Sequence, residues 1–205
     1  VAATVRLTRH AGCVGVGAFG HHVVDLLTAP GHRATRHHED LDQVFAADVD
    51  LVTLVLDRPT PSLSARADEL AFRHGVAWLP VVVEHPVVRV GPLVRPPHGP
   101  CADCFRRRQA QHDTRGRESA ALAAAYRRDP GLGPTGHLPH HVRLVAAVAR
   151  HAMATGLPDG ELLSVWLLDH EITTARVLPC HDCPRCGAPG PTRSITAFAR
   201  LLDLP

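Results

Sequence analysis

Two short cysteine pairs, Cys101-x2-Cys104 and Cys183-x2-Cys186, constrain this chain more than any other feature. Each CxxC sets two thiolates on one tight knuckle, and two knuckles supply the four sulfurs of a closed tetrahedral zinc site. The 78 residues between the pairs must therefore fold so that residue 183 returns beside residue 101. The second knuckle reads CPRCG. Pro184 sits at its turn, and Gly187 lets the backbone aim amide N–H groups at the sulfurs. Four thiolates leave no open coordination position, which makes this zinc structural rather than catalytic. Disulfides and redox CxxC pairs are the competing reading, but a redox motif needs only one pair, at a helix start. Cys180 also makes a CxxC with Cys183, and His181 is a weaker rival ligand; the CPRCG form selects Cys183 and Cys186. Cys13 lies in an apolar run and reads as a small core residue.

The rest of the chain must supply the frame. With 205 residues, 45% of them apolar, it is long enough for one sizeable α/β domain. A short strand, a glycine turn and a helix start are expected over 11–20, and further strands near 32–37, 49–56, 76–83 and 87–94, with Pro80 a defect in the 76–83 strand and Pro92 placing the 87–94 strand at a sheet edge. A helix is expected to follow the first strand, stopping at Pro30-Gly31. Another is expected over 62–74, with Leu63, Ala67, Leu70 and Ala71 on one face. This alternation is the signature of a parallel sheet with crossover helices. Beyond residue 95, a helical stretch over 104–128, a Pro/Gly loop over 129–139, a helix over 140–155 and two strands over 161–178 lead into the second knuckle. The turn between those strands falls near Asp169-His170. A tail over 188–205 ends in a short apolar helix at 194–202. The expected organisation is a single domain, 1–205, with a sheet-forming half (11–95), a zinc-bearing half (96–187) and the tail.

Gly15-Val16-Gly17-Ala18-Phe19-Gly20 fits G-x-G-x-x-G, and it follows a short strand and opens a helix, the context that motif requires. The glycines permit a tight turn and close approach of a phosphate at the helix N-terminus. Glu39, nineteen residues after Gly20, stands where an acidic residue holds a ribose hydroxyl; Asp40 and Asp42 compete for the role. The alternative is that the glycines are fold geometry with no nucleotide bound, and both readings stand. The expected fold class is α/β, with a Rossmann-like, largely parallel sheet and flanking helices, plus a helical and β C-terminal half carrying the four-cysteine zinc site.

Several classes of function are disfavoured. The net charge of +2 provides no strong field for nucleic acid. No apolar run approaches the ~18 residues of a membrane span, and residues 1–30 lack the order of a signal peptide. A soluble, cytoplasmic chain is expected. All 22 basic residues are arginine, and lysine and asparagine are absent. The 16 histidines are scattered; adjacent ones such as His21-His22 and His37-His38 point in different directions on a helix or strand. Arg106-Arg107-Arg108 and Arg127-Arg128 suit either an acidic peptide or an ordinary solvated helix face. Trp78 and Trp166 are expected in the core or at a dimer interface.

A glycine-rich strand–turn–helix, then CxxC near residue 100, then CPxCG some 80 residues later resembles the ThiF/MoeB-type, ubiquitin-activating-enzyme-like superfamily over residues 11–187. The run Val90-Gly91-Pro92-Leu93-Val94 leading into Gly99-Pro100-Cys101-Ala102-Asp103-Cys104-Phe105 is similar to one branch. That branch is the ocin-ThiF-like, leader-peptide-binding cyclodehydratase partners of thiazole/oxazole-modified peptide (bacteriocin) biosynthesis. The resemblance implies an accessory subunit that presents a precursor peptide to a YcaO-type, ATP-dependent cyclodehydratase subunit, with a homodimer expected. The winged-helix leader-binding domain of that branch has no counterpart before residue 11, so it is expected on a separate chain or a removed segment. Adenylating members of the superfamily instead use ATP and magnesium to activate a C-terminal carboxylate. For that chemistry the resemblance places Asp57 at the magnesium position and Arg66 on the phosphates, with Gly15, Gly17 and Gly20 as the cradle. Arg58 stands where those members carry asparagine. Their phosphate-binding lysine has no counterpart here, nor does a thioester cysteine.

Overall fold

The computed structural model describes residues 10–38, 40–129, 132–133, 136–181 and 183–187. The short apolar runs become strands, and those buried on both faces sit centrally, as continuous β-branched sequence requires. Numbered in chain order, seven strands among the described residues form one sheet. Its order is β2 (Ala34–His37), β1 (Ala11–Val16), β3 (Leu51–Leu56), β4 (Ala77–Glu84), β5 (Val87–Val90), β6 (Glu161–Trp166) and β7 (Ile172–Arg176). The first four positions pair in parallel, with Ala11 opposite Leu51 and Leu51 opposite Ala77. From β4 onward the pairing is antiparallel.

Side chains alternate across the sheet and meet helices on both faces. Leu51 and Val55 join the core formed with helix α1 (Gly17–Leu27) and helix α6 (Pro139–Thr155), through Phe19, Val23, Val145 and Ala149. Val52, Leu54 and Leu56 face helices α2 (Leu41–Ala46) and α3 (Pro61–His74), meeting Phe45, Leu70 and Ala71. The 104–128 stretch divides into α4 (Ala102–His112) and α5 (Gly116–Arg128). The break follows from Asp113, whose carboxylate accepts the Arg115 backbone N–H at 2.8 Å in a local turn that competes with the helix. Among the described residues, no helix is long and apolar enough to cross a membrane.

The two prolines act differently from the sequence-based expectation. Pro80 sits in mid-strand opposite Leu54. Its missing N–H falls where the neighbouring strand is interrupted: Val81 pairs with Val90, Trp78 next pairs with Val94, and Gly91 donates only to the Pro80 carbonyl. No ladder bond is lost there. Pro92 lies past the end of β5, so β5 is an interior strand between β4 and β6 and not an edge. Helix α2 has no counterpart among the expected elements; Asp40 caps it, accepting the N–H groups of Asp42 and Gln43.

Strand β1 and helix α1 approach so closely that Gly15 lies against the backbone of Gly20, and Gly20 against the carbonyl of Val55. A Cβ on Gly20 would stand 2.6 Å from that oxygen, whereas a Cβ on Gly116, at the start of α5, would meet nothing within 4 Å. Gly20→Ala should therefore destabilise the chain by about 1–3 kcal/mol in urea unfolding. Gly116→Ala should be neutral or stabilising by up to about 1 kcal/mol in the same assay.

Candidate metal centre and glycine turn

The fold brings the four cysteines together. Cys101 precedes α4, Cys104 lies in its first turn, and Cys183 and Cys186 form the second knuckle, closed by the Gly187 N–H donating to the Cys183 carbonyl at 2.8 Å. All four are buried. Their sulfurs lie 3.7 Å (Cys101–Cys104), 3.6 Å (Cys101–Cys183) and 3.4 Å (Cys104–Cys186) apart. A tetrahedral ion with metal–sulfur bonds of about 2.3 Å sets its sulfurs about 3.8 Å apart, so the cluster already has the size of a four-sulfur metal site. Cys180 stands outside the four: its backbone N–H donates to the Cys104 sulfur at 3.2 Å, and its thiol faces the Cys104 carbonyl. His181 is exposed.

The thiols differ electrostatically. Burial pushes Cys101 far up and Cys186 up to about 12. Burial also opposes ionisation of Cys183, but the N–H groups of Cys186 and Arg185 aimed at its sulfur bring it down to about 6. Backbone donors thus favour the thiolate of Cys183, while burial disfavours those of Cys101 and Cys186.

One buried carboxylate positions both knuckles. Asp68, on the inner face of α3 and 1% exposed, accepts the Trp78 indole N–H at 3.1 Å and the Ala102 backbone N–H at 3.2 Å. It also pairs with Arg185, between the cysteines of the second knuckle, at 3.3 Å. Burial raises the Asp68 pKa against the pull of the Ala102 N–H, the Trp78 indole and Arg185. Arg108 adds a second tie, donating from α4 to the carbonyls of Leu178 and Pro179 just ahead of the second knuckle. Asp68 escaped sequence reasoning because its partners lie 10, 34 and 117 residues away. A carboxylate between Ala67 and Leu70 on an apolar helix face was the available signal.

At the other site, Gly17 has φ +72°, and the Asp57 carboxylate lies directly against its Cα, in the space a Cβ would take. Asp57 and Arg58 line a cavity of about 170 Å³ with Phe19, His85, His137 and His141. Burial and the neighbouring His140 lower the pKa of His141. Arg58 contacts Asp57 at 3.5 Å, donates to the Leu132 carbonyl and lies 5.6 Å above the Tyr126 ring. Arg66 is away from this cavity, held by Asp42 at 2.5 Å and Glu69 at 3.0 Å. Asp40 is occupied as the α2 cap. Glu39 and the 188–205 tail lie outside the described residues. A larger cavity, about 500 Å³, lies beside the cysteine cluster between α3, α4 and β4, walled by Pro61, Trp78, Val94 and Phe105.

No family model matches the chain, and no curated protein does. Solved structures share its fold. The heterocyclase TruD superposes with a TM-score of 0.58 at 17% identity, covering 88% of this chain and 28% of that one. In the Escherichia coli microcin synthetase McbBCD complex a chain superposes at 0.65 with 14% identity, covering 89% and 70%. E. coli MccB gives 0.59 at 13% identity, covering 90% and 67%. At such identities the likeness is one of fold. The chain spans about a quarter of the length of the heterocyclase chains it matches.

Asp68→Ala leaves the Trp78 and Ala102 donors buried without an acceptor, and should cost about 2–4 kcal/mol in denaturant unfolding and hasten metal loss to a chelator. Asp68→Asn keeps one acceptor oxygen and should recover part of both. With Cys101 and Cys186 protonated in the metal-free protein at pH 7.5, metal uptake should release at least two protons. Apparent affinity should then rise at least about 100-fold per pH unit near neutrality, and more steeply below pH ~6, where Cys183 also takes up a proton. Calorimetry in buffers of different ionisation enthalpy counts those protons.

Proposed function

We propose that this chain is a ThiF-like accessory subunit of a peptide heterocyclase, presenting a precursor peptide to a YcaO-type, ATP-dependent partner. The cysteine cluster holds zinc, which closes the structure and takes no part in chemistry. A homodimer and a single folded unit over 1–205 belong to the same reading. Support comes from the fold shared with TruD, with a heterocyclase in complex with substrate and cofactor, and with the McbBCD synthetase.

The observation that carries the non-catalytic reading is the state of the glycine turn. Of the two arginines considered for a nucleotide's phosphates, Arg66 is held away from the cavity by Asp42 and Glu69, and Arg58, on the cavity wall beside Asp57, is engaged by Tyr126 and Leu132. No lysine replaces them. The adjoining cavity, about 170 Å³, is well below the 300–1,000 Å³ usual for small-molecule sites.

A second reading rests on Asp57. A carboxylate beside the turn that opens α1 stands where a magnesium–phosphate group would bind in an adenylyltransferase. In that reaction a peptide or sulfur-carrier carboxylate attacks the α-phosphate of ATP and pyrophosphate leaves.

Two measurements separate the readings. Co-expression with a YcaO-type subunit and a precursor peptide should yield a stable complex, with faster loss of one water per ring than the partner achieves alone. Magnesium-ATP should leave the melting temperature unchanged, although a ligand present at 100 times its Kd would add about 2.7 kcal/mol. An ATP-dependent rise that disappears in Asp57→Ala would sink the accessory reading and favour adenylation.

A further inference from the structure

The chain is rich in histidine, and three of its imidazoles converge away from the cysteine cluster. His140 and His141 occupy the first turn of α6, and His170 lies in the loop between β6 and β7. One ring nitrogen from each lies within 4.8 Å of the others. The ring centroids are 4.3, 5.1 and 5.6 Å apart, all in edge-on arrangements. The convergence brings together two elements separated by about 30 residues and does not arise from the 140–141 dipeptide alone.

The backbone at His170 is held in place. His170 is the only non-glycine residue with positive φ, at 62°, among the described residues. That backbone state is unfavourable for a non-glycine residue and persists where its surroundings enforce it. Here they do: the His170 N–H donates to the Trp166 carbonyl at 2.9 Å, and Trp166 donates to the Glu171 carbonyl at 2.8 Å. Asp169 accepts the Glu171 N–H at 3.0 Å. His141, in turn, lines the cavity beside α1 with Leu167 and Phe19. Among the described residues, no hydrogen bond engages the ring nitrogens of His140 or His170.

Three imidazoles suit a borderline divalent ion such as zinc, nickel or cobalt. Tetrahedral zinc with bonds of about 2.0–2.1 Å needs its nitrogens about 3.3 Å apart. His140 and His170 are exposed, and their ring nitrogens start within 4.8 Å of that of His141. His141 also lines the cavity that holds Asp57, so an ion here would sit at the rim of that cavity.

We propose that His140, His141 and His170 form a second divalent-metal site, open at one position and chemically distinct from the closed cysteine site. A nitrogen-only site with three protein ligands leaves room for water or a carboxylate, which four thiolates do not. The inference stands on these three residues and is independent of the heterocyclase reading.

The test is a cobalt(II) titration of the folded protein with its cysteine site already filled, followed by calorimetry and visible absorption. The expected result is one further equivalent bound with Kd below about 100 µM, giving ligand-field bands without the thiolate charge-transfer absorption of a sulfur site. His140→Ala and His170→Ala should each weaken it at least about tenfold, and the double variant should abolish it. His37→Ala/His38→Ala should leave it intact. His140 and His170 are exposed, so their variants should melt at the wild-type temperature. No binding tighter than about 100 µM in the wild type would overturn the proposal, as would an equivalent that survives in the double variant or is lost with His37 and His38.

Discussion

Four sulfurs packed 3.4–3.7 Å apart in a buried site gain little from one another as thiols and repel as thiolates. A cation resolves that conflict, and the surrounding structure is arranged to hold the sulfurs ready for one. Backbone N–H groups favour the ionised form of Cys183, and the Cys180 N–H supports Cys104. Asp68 fixes both knuckles to α3 and to Trp78. Through this cluster the antiparallel end of the sheet is tied back to a helix that crosses over in its parallel half. The cluster therefore adds a second link between two parts of the sheet already joined by the β4–β5 ladder and a common core.

The elements that decide this geometry were unequally legible in the sequence. The parallel half was readable because its strands are short, β-branched and separated by helices, a pattern that admits few topologies. The cysteine pairs announced themselves through spacing alone. Pro92 misled because it lies two residues past Val90, and a proline marks an edge only when it falls inside the ladder. Helix α2 was missed because six residues carry too little periodicity, although Asp40 is an ordinary capping residue. Asp68 and the His140–His141–His170 cluster were invisible for a shared reason. Each depends on partners brought together by tertiary folding, and a one-dimensional pattern records only near neighbours.

The glycine motif shows how one sequence pattern supports two structural uses. Gly15 and Gly20 serve close strand–helix packing, while Gly17 makes room for the Asp57 carboxylate. The arginine-only composition sharpens the contrast. A guanidinium is planar and prefers fixed, bidentate or stacked partners, and Arg58 and Arg66 have such partners within the fold. The turn that opens α1 thus has Arg58 near it, stacked on Tyr126 and bonded to the Leu132 carbonyl, while Arg66 is held elsewhere.

The separation of the knuckles has a consequence in time. Cys101 and Cys183 are 82 positions apart. At about 5–20 residues per second, a ribosome emits the first knuckle roughly 4–16 seconds before the second. During that interval a two-sulfur half-site exists on a nascent chain whose parallel strands are already synthesised. The last pair of candidate ligands is made after every strand of the sheet, so an ion held by all four cysteines would be captured only once the whole sheet has been synthesised.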